Sequence, residues 1–125
     1  MGCEALGPRR ILIADDNIDA ATCFALLLEA TGNEVHTAHD GLEALEAARS
    51  WRPDAIFLDI AMPSIDGHEV CRRLREERWA QTVLIVAVTG WGRPEDRRRS
   101  LAAGFDHHFV KPVELRQLQE LLQSL

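Results

Sequence analysis

The chain has 125 residues, 46% hydrophobic and 27% charged, with a formal net charge of −6 at pH 7. That is the composition of one soluble globular domain, and the negative balance argues against nucleic acid as a partner. No apolar run approaches the roughly 18 residues of a membrane span, and the N-terminus lacks a signal-peptide core. Cys3, Cys23 and Cys71 are odd in number and widely spaced, so they read as reduced thiols in a cytoplasmic setting. Residues 1–8 are expected to be a short disordered lead, and 9–125 the domain.

Apolar runs and helical patterns alternate along the chain. Ile11–Ala14 is a short strand-like run ending in Asp15-Asp16. Ala20, Cys23, Phe24 and Leu27 recur at i, i+3, i+4, i+7 and predict the inner face of a helix, with Gly32 just past its end. Glu34–Ala38 reads as a second strand and Gly41–Arg49 as a second helix, broken by Pro53. Ala55–Leu58 is a third strand running into Asp59. Asp66-Gly67-His68-Glu69 has the form of a capping box, followed by Val70 and Leu74 on one helix face.

Val83–Val88 is apolar throughout and β-branched at most positions, as in a strand buried on both faces. Pro94 suits the first turn of the next helix and Gly104 its end. His107–Val110 is strand five, and Leu115, Leu118, Leu122 and Leu125 line a last helix. Strands alternating with helices imply a parallel sheet with right-handed crossovers. Five units are too few for a closed (β/α)8 barrel, so the expectation is an open, doubly wound α/β sheet.

Ligands of such sheets bind beyond the carboxyl ends of the strands. Strand one ends in Asp15-Asp16, strand three in Asp59, strand four in Thr89-Gly90 and strand five in Lys111-Pro112. Lys111 is the one lysine among 14 basic residues. A lysine presents a compact ammonium where arginine imposes a planar fork. Three carboxylates at close range repel and ask for a cation. Hard oxygen ligands favour Mg²⁺ (or Mn²⁺), which takes one or two carboxylates and keeps waters or phosphate oxygens. With Lys111 and Thr89 added, the set suits a phosphoryl group, and a carboxylate can serve as the nucleophile that forms an aspartyl phosphate.

At these residues the chain resembles the receiver domains of two-component response regulators. The resemblance runs from Ile11 to the last helix. It rests on Ile11-Leu-Ile-Ala-Asp15-Asp16-Asn17, Asp59-Ile-Ala-Met62-Pro63-Ser-Ile-Asp66-Gly67, Thr89-Gly90 and Lys111-Pro112. It implies a flavodoxin-like (βα)5 fold with strand order 2-1-3-4-5. It makes Asp59 the phosphoacceptor, supplied by a phosphohistidine on a histidine kinase or histidine phosphotransfer domain. Asp16, Asp59 and the carbonyl of Ala61 would ligate Mg²⁺ directly, and Asp15 through water. Lys111 would pair with Asp59 and then with phosphoryl oxygens, Thr89 would swing toward the phosphoryl group, and the Lys111–Pro112 bond would be cis. Output would go to a downstream protein, with no membrane or nucleic-acid contact by this domain.

The chain departs from the family where many receivers place a Tyr or Phe, three residues before the lysine: here that position is His108. Either His108 moves in the switch, or Trp91, two residues after Thr89, reports the state. Trp91 is also expected to shield the phosphoryl group. The wording around Thr89-Gly90-Trp91 resembles receivers of hybrid histidine kinases and some stand-alone receivers. His107 and His108 adjoin in a strand, so they point to opposite faces and cannot share a metal. Arg97-Arg98-Arg99 reads as a solvated helix face, and Trp51 and Trp79 as packing covers.

The resemblance implies a signalling module that assists its own phosphorylation and dephosphorylation and turns over no separate substrate. The enzyme alternative is a haloacid-dehalogenase-type phosphatase, whose chemistry wants an Asp two residues after the nucleophile; Ala61 occupies that position. A third reading is a pseudo-receiver that binds partners without phosphate. The intact set Asp15, Asp16, Asp59, Thr89 and Lys111 argues against it.

Overall fold

The computed structural model describes residues 9–90 and 92–123. Five parallel strands form one sheet in the order β2-β1-β3-β4-β5. The strands are β1 (Arg10–Ala14), β2 (Glu34–Ala38), β3 (Ala55–Asp59), β4 (Leu84–Thr89) and β5 (His107–Val110). Helices α1 (Ile18–Ala30), α2 (Gly41–Trp51), α3 (Gly67–Arg75), α4 (Pro94–Ala103) and α5 (Leu115–Gln123) alternate with them. This is the doubly wound arrangement that the alternation of buried strands and helices demands. No helix among the described residues is long and apolar enough to cross a membrane.

Period-two alternation sends successive strand residues to opposite faces. Leu12, Ala14, Ile56, Leu58, Ile85 and Ala87 pack into one core with residues of α2, α3 and α4. Ile11, Ile13, Ala55, Phe57, Val86 and Val88 pack into the other with α1 and α5. Every residue of β3 is buried, as expected of a central parallel strand.

Helix ends follow their sequence signals. Asn17 Oδ1 accepts from Ala20 N at 3.1 Å and starts α1. Asp40 Oδ1 accepts from Glu43 N at 2.8 Å and starts α2. Gly104 ends α4 with φ 109°, the left-handed region that glycine tolerates. The capping box expected at α3 is half formed: Asp66 Oδ1 accepts from Glu69 N at 3.0 Å. The Glu69 carboxylate does not return the bond. It binds Arg72 Nη2 and Arg73 Nε at 2.8 and 2.9 Å, pairs one helical turn away.

Two helix faces differ from the expectation. On α1 the buried residues are Ala21, Ala25 and Leu28, with Phe24 partly buried; Ala20, Cys23 and Leu27 are exposed. The segment Ile18–Ala30 is apolar nearly all round, so spacing alone does not select a face. Packing chooses the one with small alanines against the sheet. On α5 the core residues are Leu118, Leu121 and Leu122, whereas Leu115 is exposed; Leu125 lies outside the described residues. Strand four runs one residue later than the apolar run suggests, from Leu84 to Thr89, which leaves Val83 before it.

Candidate functional site at the carboxyl edge

Strand order reverses between β1 and β3, which opens a crevice there. β1 delivers Asp15 and Asp16 to one side of it, and β3 delivers Asp59 to the other. Asp15 is 7% exposed and Asp59 8%, so both carboxylates are largely withdrawn from water. Among the described residues, Asp15, Asp16 and Asp59 form the one cluster that could hold a metal ion, with an oxygen from each within 4.8 Å of the others. An all-carboxylate oxygen set with an exposed member, Asp16, fits a hard divalent cation that keeps part of its water shell.

Lys111 answers two of these carboxylates. Its Nζ donates to Asp59 Oδ2 at 3.1 Å and to Asp15 Oδ2 at 3.1 Å. The other oxygens are held by backbone donors: Asp59 Oδ1 by Ala61 N at 3.2 Å, and Asp15 Oδ1 by Asn17 N at 2.9 Å. The backbone of Lys111 is fixed by its N–H to Thr89 O at 2.8 Å, and the Lys111–Pro112 peptide is cis, as the resemblance implied. The lysine therefore approaches from the neighbouring pair of strands with its stem anchored.

The electrostatics follow from burial. Withdrawal from water raises the pKa of Asp59. Lys111 opposes the rise through hydrogen bond and charge, and Asp15 adds to it by repulsion. Burial alone would lower Lys111, but Asp59 and then Asp15 outweigh it and hold the ammonium above its ordinary value. At neutral pH the lysine is charged.

Thr89 is buried at the end of β4. In the ladder Ala87 faces His108 and Thr89 faces Val110, so Thr89 and His108 lie on the same face of the sheet. His108 Nδ1 and Ser100 Oγ of α4 are hydrogen-bonded at 2.8 Å. Trp91, expected to flank the phosphoryl group, lies outside the described residues. Arg97, Arg98 and Arg99 are exposed on α4, as expected of a solvated face. Trp51 and Trp79 pack, partly buried, against the core on the α2–α4 side.

Sequence reasoning passed over three groups around the site. His39 Nδ1 lies 3.0 Å from the carbonyl oxygen of Asp15 and braces the turn after β1. Gly67 sits against the backbone of Asp59 and Ile60 so closely that a Cβ would lie 2.7 Å from Asp59 O. His68 is buried beside the loop after β3, and among the described residues neither ring nitrogen has a hydrogen-bond partner. The signal for His68 was its i, i+3 spacing from buried Cys71 on the inner face of α3.

A family model for the response regulator receiver domain matches residues 11–123. The chain belongs to the receiver domain family. Response regulator MprA of Mycobacterium ulcerans is 39% identical over 116 residues, covering 93% of this chain and 49% of that protein. The receiver thus spans about half the length of such curated relatives. The chemotaxis response regulator CheY4 of Vibrio cholerae has a structure similar to it, with TM-score 0.87, 32% identity, and coverage of 94% of this chain and 98% of that one. The receiver domain of sensor histidine kinase PA1611 from Pseudomonas aeruginosa PAO1 is also similar, with TM-score 0.86, 31% identity, and coverage of 94% and 97%. That structure has a magnesium ion coordinated in its active-site cleft. Membership makes this receiver a two-component signalling domain of a phosphoacceptor family.

Proposed function

We propose that this receiver accepts a phosphoryl group on Asp59 from a phosphohistidine of a histidine kinase or histidine phosphotransfer domain, and passes a conformational change to a protein partner. The observation that carries the reading is the Lys111 ammonium, 3.1 Å from Asp59 Oδ2 and anchored through its own backbone to Thr89. A carboxylate oxygen of Asp59 attacks phosphorus, the P–N bond to the donor imidazole breaks, and the imidazole leaves with its electron pair and takes a proton. Phosphoryl transfer of this kind needs in-line positioning and neutralised charge more than covalent help from the protein.

Asp16, Asp59 and the carbonyl of Ala61 are the residues to hold Mg²⁺ (or Mn²⁺), with Asp15 acting through water. When bound, the cation neutralises phosphoryl oxygens. Lys111 exchanges its bond to the Asp59 carboxylate for one to a phosphoryl oxygen, while Asp15 keeps the ammonium in place. Thr89 turns its hydroxyl toward the phosphoryl group and so draws the end of β4 inward, and His108 carries the change to the α4–β5 side. The domain assists its own phosphorylation and hydrolysis and turns over no separate substrate.

Incubation with acetyl phosphate or phosphoramidate and Mg²⁺, followed by intact-mass measurement, tests the reading. A single phosphoryl adduct that disappears in Asp59→Asn is expected. An adduct that survives Asp59→Asn would refute the site assignment.

A further inference from the structure

A second polar cavity, of about 260 Å³, opens beside the phosphoacceptor site. Ala61 and Thr89 line the side toward Asp59; His68, Ser100 and His108 line the side toward α3 and α4. It is many times the roughly 30 Å³ share of one water molecule. His68 is only 8% exposed, and both its ring nitrogens are buried without a hydrogen-bond partner among the described residues. Its ring meets the edge of Phe105 at a centroid distance of 6.1 Å, which fixes its plane without satisfying its nitrogens. Buried polar groups as a rule are hydrogen-bonded, and an exception asks for a partner that comes from elsewhere.

We propose that His68 is the receiving partner of His108 in the activated state: His108 leaves Ser100, turns further into the cavity that Thr89 lines, and hydrogen-bonds a ring nitrogen of His68. The inference rests on the phosphoacceptor reading above and extends it to the output side. An imidazole suits the task, since its neutral form has one N–H donor and one bare acceptor nitrogen. Burial keeps His68 neutral by lowering its pKa, Arg99, Arg72 and His108 push the same way, and Asp66 opposes them.

The carboxylates lining the cavity are engaged. Asp66 caps Glu69 N, and Asp96 accepts from Arg93 N and Nε at 3.3 and 3.1 Å. Ser100 is fully buried, so its hydroxyl is a fixed latch for His108. A ring moving between Ser100 on α4 and His68 on α3 changes what ties β5 to α4. Arg97, which reaches His108 O at 3.3 Å, would report that change on the exposed face.

The test uses the full chain with ¹⁵N-labelled histidine. Imidazole nitrogen shifts are read with and without Mg²⁺ and beryllofluoride, which mimics a phosphoryl group on a carboxylate. Ring signals of His68 and His108 are expected to move together. His68→Leu should abolish the His108 response while leaving phosphate uptake intact, and His68→Gln, which keeps a donor and an acceptor, should restore it. Ser100→Ala should shift His108 part of the way without any mimic. If the amides of Asp59 and Thr89 respond while the His108 ring does not, this proposal fails and the phosphoacceptor reading stands. If neither amide responds and no mass is gained from acetyl phosphate, both fail together.

Discussion

Lys111 Nζ lies 3.1 Å from Asp59 Oδ2 and 3.1 Å from Asp15 Oδ2, so a single ammonium bridges carboxylates from two strands. Its stem arrives from the end of β5 and is pinned by a backbone bond to Thr89 O at 2.8 Å. A guanidinium at this position would keep the charge but demand a planar, forked geometry in a space set for a point charge. Lys111→Arg is therefore expected to fold and still lose at least about tenfold in phosphorylation rate, or about 1.4 kcal/mol of transition-state stabilisation. Stopped-flow measurement with phosphoramidate checks this; a rate equal to the parent's would show that charge alone suffices.

Asp59 gives a pH-dependent prediction. Its pKa is raised in the folded protein, chiefly by burial, which Lys111 only partly offsets and to which Asp15 adds repulsion. A raised carboxyl binds its proton more tightly when folded than unfolded. Its stabilising contribution is thus present below the unfolded value of about 3.9 and lost as pH rises through the higher folded value. Without divalent cation, Asp59→Asn should be more stable than the parent at pH 7. The gap should shrink toward acid pH. Mg²⁺ should narrow it by stabilising the parent alone. Urea melts at several pH values, with and without Mg²⁺, measure the difference.

Gly67 makes the site depend on a missing side chain. A Cβ there would lie 2.7 Å from Asp59 O and 2.9 Å from Ile60 Cα, both backbone atoms that cannot step aside alone. Gly67 N also donates to Ile60 O at 2.9 Å, which seats the start of α3 on the loop after β3. Gly67→Ala should cost about 1–3 kcal/mol of stability and weaken Mg²⁺ binding by displacing Asp59. Calorimetric titration separates the two effects: unchanged affinity in a destabilised protein would place the strain in α3 rather than at the carboxylate.

The strand ends were legible because apolar runs terminate in polar residues there, and a parallel sheet gathers such ends on one edge. Asp15, Asp16, Asp59, Thr89 and Lys111 could thus be assembled before any coordinates. The inner face of α1 could not, since a helix apolar nearly all round gives no preference between Ala21 and Ala20. His68 stayed hidden because its neighbours Asp66 and Glu69 read as capping residues, and burial of a histidine leaves little mark on composition. Arg75 was equally silent, one arginine among several on α3.

Yet Arg75 carries much of the joint between α3, β4 and β5. Its Nε donates to Gly104 O at 2.9 Å, its Nη1 to Ala80 O and Val83 O at 2.8 Å, and its Nη2 to Asp106 Oδ2 at 2.8 Å. Asp106 Oδ2 also accepts from Ile85 N at 2.9 Å. Removing the guanidinium orphans several part-buried acceptors at once. Arg75→Met is expected to cost about 2–4 kcal/mol, read as a lower urea midpoint with an unchanged slope, while phosphate uptake at 20 °C or so persists in the folded fraction.

The most direct test of the central claim is to trap the acyl phosphate. Protein treated with acetyl phosphate and Mg²⁺ is reduced with borohydride, which converts an aspartyl phosphate to homoserine, and the digest is sequenced by mass spectrometry. Homoserine at position 59 alone, absent from Lys111→Ala and from samples without Mg²⁺, is the predicted result. Homoserine at Asp15 or Asp16, or none in a sample that has gained phosphate, would contradict Asp59 as the phosphoacceptor.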